Sequence, residues 1–96
     1  MAEIKSGRKV VAASGTAETL VAGSTPVSYV LIQAETNNTG TITVGDILVD
    51  DTTATRTGIA LNAGDVISMI IDDLLSIYLD CSVSGDGVTY LAKMGR

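Results

Sequence analysis

From Val27 to Ala34 the chain reads Val-Ser-Tyr-Val-Leu-Ile-Gln-Ala. In an extended backbone this places Val27, Tyr29 and Leu31 on one face and Val30, Ile32 and Ala34 on the other. A strand apolar on both faces belongs in the middle of a sheet or in an interface. The polar cluster Thr36-Asn37-Asn38-Thr39-Gly40 follows, and then Thr41 and Thr43 alternate outward against Ile42 and Val44 inward, which predicts a hairpin. Asn37-Asn38-Thr39 also has the form of an N-glycosylation acceptor, but without a secretory signal turn chemistry is the simpler explanation. After the apolar trio Ile47-Leu48-Val49, Asp50 to Thr57 is polar and threonine-rich, and is expected to be the longest loop, outside the core. Gly58 to Asp65 reads as a short strand feeding a tight turn, with Gly64 supplying a positive φ.

Val66 to Tyr78 is ambiguous by period, because Val66, Met69, Ile70, Leu74, Ile77 and Tyr78 also fit one face of a helix. Two features favour strands. Val66, Ile67, Ile70 and Ile71 are β-branched, and Ile77, Leu79, Cys81 and Val83 then alternate with Tyr78, Asp80, Ser82 and Ser84. Two strands joined around Asp72-Asp73 are therefore expected. Ser84-Gly85-Asp86-Gly87 predicts a hairpin turn and Val88 to Met94 a last strand. Towards the N-terminus, Ser14-Gly15-Thr16 and Gly23-Ser24-Thr25-Pro26 bracket short outer strands. Met1 to Gly7 has no apolar pattern and suggests an extended arm, or an edge that orders on contact. About eight short strands with Gly, Asn and Asp turns point to an all-β chain: a small antiparallel β-sandwich or jelly-roll-like barrel over residues 11–96, with an extended N-terminal arm over 1–10.

Composition narrows the function more than the fold. Ninety-six residues allow one small core, and with no Phe, no Trp and only Tyr29, Tyr78 and Tyr90 as aromatics that core must be aliphatic. The absence of histidine removes the usual near-neutral base and the commonest metal ligand. Ser14, Ser68 and Ser84 accordingly have no activating partner of that kind. Asp50-Asp51, Asp72-Asp73 with Asp80, and Asp46 with Asp65 match no calcium loop and read as turn caps. Cys81, the only cysteine, cannot form an internal disulfide and is expected as a small buried residue in a chain folding in a reducing cytoplasm. No secretion signal or membrane span is expected, since Asp72 and Asp73 interrupt the most apolar stretch. No catalytic, cofactor or metal residues are assigned.

A net charge of −5 disfavours nucleic acid as partner. The cations are segregated: Lys5, Arg8 and Lys9 near one end, Lys93 and Arg96 at the other, and Arg56 alone between. Two alternatives stand for the first group, a solvated basic end or an arm that docks on an acidic neighbour. The three tyrosines suit a protein interface or half-buried strand positions. These features describe a β-rich domain with an interaction role and name no partner.

The segments 58–67, Asp72-Asp73-Leu74, Ile77-Tyr78-Leu79-Asp80 and Val83-Ser84-Gly85-Asp86-Gly87-Val88, with Ala17-Glu18-Thr19-Leu20-Val21 and Val30-Leu31-Ile32-Gln33-Ala34, resemble small virion structural proteins of tailed bacteriophages. The resemblance spans roughly residues 16 to 92. It implies a non-enzymatic capsid decoration (cement) protein, made in the host cytoplasm and carried on the outer capsid surface of the virion. It also implies the major capsid protein as partner, a homo-oligomer with a trimer favoured, and no cofactor, membrane or small-molecule substrate. A tail, baseplate or head-tail connector module with host-surface binding is the alternative. On this resemblance Lys5, Arg8, Lys9, Tyr29, Tyr78 and Tyr90 are the expected contacts to capsid or neighbouring subunit.

Overall fold

The computed structural model describes residues 3–95. Its strands are β1 (Ile4–Val10), β2 (Glu18–Thr19), β3 (Val27–Ala34), β4 (Ile42–Gly45), β5 (Ile59–Leu61), β6 (Val66–Met69), β7 (Tyr78–Cys81) and β8 (Gly87–Met94), with one 3₁₀ turn at Leu74–Ser76. They form two antiparallel four-stranded sheets, a long one ordered β1-β8-β3-β6 and a short one ordered β2-β7-β4-β5. The chain is all-β, as its alternation predicts, and no helix is long and apolar enough to cross a membrane among the described residues.

The core lies between the sheets and is aliphatic. Val30, Ile32 and Ala34 of β3 and Val88, Tyr90 and Ala92 of β8 belong to one buried cluster with Ile42, Val44, Leu79 and Cys81 of the short sheet. Each fully buried Val, Leu or Ile contributes about 1.5–3 kcal/mol relative to exposure. The segment Val66 to Tyr78 resolves as the end of one strand and the start of another, β6 closing at Met69 and β7 opening at Tyr78, with the turn between them capped by Asp73. Its carboxylate accepts from the Leu75 and Thr25 N–H groups, capping the 3₁₀ turn that drops Leu74 into the core.

Four expectations are corrected. The N-terminal arm is a strand: Ile4 to Val10 pairs with β8 along seven residues, from Ile4 opposite Lys93 to Val10 opposite Gly87. Met1 and Ala2 of that arm lie outside the described residues. Val27 does not share a face with Tyr29 and Leu31, since a bulge between Val27 and Tyr29 turns it inward. Neither predicted hairpin forms, because β3 and β4, like β7 and β8, lie in different sheets. Among the described strands only the β4–β5 connection stays within a sheet. The turns after β3 and β7 are instead arches laced to each other: Asn38 exchanges two hydrogen bonds with the Gly87 backbone, and the buried Asp86 carboxylate accepts from the Thr39 and Gly40 N–H groups. Lastly, Thr43 points away from the core yet is buried, because the loop after β4 folds back over it and buries Asp51 as well.

Candidate interaction surfaces

At the edge where β1 overlies β2, a groove of about 620 Å³ runs between Lys5, Arg8 and Lys9 on one side and the segment 19–25 on the other, with Tyr90 in its wall. Four of the six sequence-predicted residues thus converge. Two of the cations, however, are already used. Arg8 is bidentate to Glu35, and Lys9 Nζ lies 3.0 Å from Glu18 Oε1. Burial pushes the Glu18 carboxyl up, but Lys9 and the N–H groups of Ala13 and Ala12 outweigh it and hold it below the usual carboxylate range. Arg8 and Lys9 therefore fasten β1 to the body, leaving Lys5 as the groove's cation without an ion-pair partner among the described residues. Tyr90 is inward-facing and lies beneath Gly7, where an added Cβ would meet its ring. Tyr78, half-buried at the start of β7, pairs with Thr19 and Gly45 and joins neither surface.

Tyr29 leads to a second surface. The outer face of the short sheet is closed: Asp51 accepts from Thr41 and Thr43, and Asp80 accepts from the N–H groups of Gly15, Cys81 and Asp51. Arg56 spans the loop to the Asp51 carbonyl. The outer face of the long sheet has no such cover. Its register sets three rows side by side: Ile4, Lys93 and Tyr29; Ser6, Leu91, Leu31 and Ser68; Arg8, Thr89, Gln33 and Val66. Tyr29, Leu31 and Leu91 are 41%, 38% and 43% exposed at its centre. No strand residue on this face is acidic, although acids outnumber bases eleven to six in the chain. Lys93 has no ion-pair partner among the described residues, and Arg8 with Glu35 sits at the margin.

The chemistry of this face is that of a binding surface. It offers apolar area, hydroxyl and amide groups and positive charge, a combination suited to a protein surface with an apolar centre and an acidic rim. The buried carboxylates Asp51 and Asp80 are taken up by internal donors beneath a hollow of about 250 Å³. Cys81 beside them is inert, because burial and the charges of Asp80, Asp86 and Asp51 push its thiol up to about 11.

Leu31 is legible in sequence as half of a two-sided apolar strand, whereas nothing in the sequence places Leu91, Lys93, Ile4 and Val66 on the same face, because only the strand order brings them there. No protein-family model matches the chain, and no curated protein matches it either.

Proposed function

We propose that this is a non-enzymatic virion structural protein that docks on a neighbouring protein shell through the outer face of its long sheet, as a capsid decoration (cement) protein. The observation that carries the docking is the acid-free, partly apolar face of Tyr29, Leu31, Leu91 and Lys93 on a chain of net charge −5, left open while the opposite sheet is closed by its own loop. The assignment of the partner as a major capsid protein comes from the sequence resemblance. The mechanism is mechanical: a module that bridges adjacent capsomers buries this face only on the assembled shell, and binding stabilises that state by mass action.

The test is a reconstruction by cryo-electron microscopy of particles from the producing cell, with occupancy measured for the wild type and for Leu31→Glu and Leu91→Glu. Density on the outer shell with the long sheet facing it, lost in both variants, is the expected result. Density confined to the tail, absence from particles, or full occupancy of both variants would overturn it. Both side chains are partly exposed, so circular dichroism and melting should show the variants folded.

A further inference from the structure

The sandwich has free edges at both ends of both sheets, and they differ in how they are guarded. Edge strands expose unpaired N–H and C=O groups and are usually blunted by charge, proline, shortness or a covering loop. β2 has two residues and β5 three. β1 carries Lys5, Arg8 and Lys9, so two copies pairing along it about Gly7 would set Lys5 against Lys9 of the other. β6, at the far end of the long sheet, is short as well, at four residues, but carries no charge and no proline. The Ala34 N–H bonds to the Asp65 carbonyl, and the β3–β6 register continues from that pair through Ile32 and Ile67 to Val30 and Met69. Antiparallel strands bond across at alternate residues, so the N–H and C=O groups of Val66 and Ser68 point away from β3. From Ile59 to Ile71 the only charged residue is Asp65, and Ile70, at 89%, is the most exposed large apolar side chain among the described residues.

We propose that β6 is the self-association edge of this protein: two copies pair β6 to β6, antiparallel, about a two-fold axis at Ser68. The occupant is a second copy because the edge is self-complementary. Ser68 then lies opposite Ser68, Ile67 opposite Met69 and Val66 opposite Ile70, with no charge facing a like charge. Two chains of net charge −5 can meet here with no carboxylate directly opposite another, since Asp65 falls opposite Ile71 and Asp72 opposite Gly64. A hollow of about 500 Å³, lined by Val27, Ser28, Ile70, Ile71 and Asp72, lies where Val66 of the second copy arrives. The pair makes one continuous eight-stranded sheet and doubles the open face described above, which on a repeating lattice gives avidity without new contacts. The pairing itself does not depend on that lattice. Edge-to-edge contacts are small beside the roughly 1,200–2,000 Å² of stable complexes, so the pair dissociates on dilution.

The experiment is light scattering on the full chain across a concentration series, with Ser68→Lys, Ile70→Lys and, on the opposite edge, Lys5→Glu. The wild type and Lys5→Glu should move from monomer to dimer together, while Ser68→Lys and Ile70→Lys stay monomeric with unchanged circular dichroism. Amide hydrogen exchange gives a second readout on the wild type alone: Val66 and Ser68 should gain protection as concentration rises. A wild type monomeric throughout, a trimer, a dimer that survives both lysines, or no gain of protection at those amides would overturn the proposal.

Discussion

Asp80 holds three backbone N–H groups at once: Oδ1 accepts from Gly15 and Cys81, and Oδ2 from Asp51. In a core without Phe or Trp, such a buried carboxylate ties two loops to a strand where apolar contact alone is thin. Asp80→Asn keeps one oxygen but turns an NH₂ group towards the Asp51 N–H, donor against donor. A loss of about 1–3 kcal/mol is expected, larger for Asp80→Ala, read as a lower urea midpoint at unchanged slope. The neighbouring Cys81 thiol sets a high-pH limit. With its ordinary value of 9.0 raised to about 11 in the folded chain, its contribution is full below pH 9 and is lost as pH rises through about 11. Iodoacetamide at pH 8 should therefore label native protein far more slowly than urea-unfolded protein. Gly7 makes the same point through space: nothing near it in sequence announces that Tyr90 lies against its Cα.

At the scale of elements, β1 behaves differently from the arm that its charge pattern suggests. Seven residues paired to β8, the Arg8–Glu35 pair and the Lys9–Glu18 pair make it part of the sandwich. Deleting residues 1–9 should uncover Tyr90 and the edge of β8, lowering the melting temperature and promoting aggregation; an unchanged melt would show that β1 adds nothing. Glu18 gives this joint a pH signature. Its carboxyl is held below its unfolded value, so its contribution is present above that value and lost as pH falls through the folded one. Lys9→Met removes the strongest of the influences that lower it, and should flatten the loss of stability as pH falls below the ordinary value of 4.5, compared with the wild type. Basic residues early in a chain read as a tail because no local pattern reveals the carboxylates, at positions 18 and 35, that they reach after folding.

At the scale of the whole molecule, charge and topology are asymmetric. One sheet is sealed by the loop that buries Asp51, and the other shows an acid-free face centred on Leu31 and Leu91. Under the proposed docking, with Lys93 steering an acidic rim onto that face, association should slow with added salt, and Lys93→Glu should lower the on-rate more than it raises the off-rate, by surface plasmon resonance on shells purified from the producing cell. The same topology predicts slow folding. Almost every connection crosses between sheets, so few strands can pair before the chain ends have met, which places the rate in the millisecond-to-second range of non-local β proteins.

Local pattern together with composition determined the strand class, the two-sided character of β3, the aliphatic core, the buried Cys81 and the positive φ at Gly64, because each is set by local period, by which residue types are present or by a single residue's sterics. It could not determine which strands are neighbours. A turn sequence fixes that the chain reverses and leaves open whether it reverses within a sheet or across to the facing one, so Asn38 and Asp86 read as hairpin residues and act as rivets between arches. Tertiary structure alone decided that Arg8 and Lys9 are fasteners, that a polar loop buries Asp51, and that Leu31, Leu91 and Lys93 share one open face. Those relations link residues from eight to sixty positions apart, and only the folded strand order and the loop laid over it bring them together.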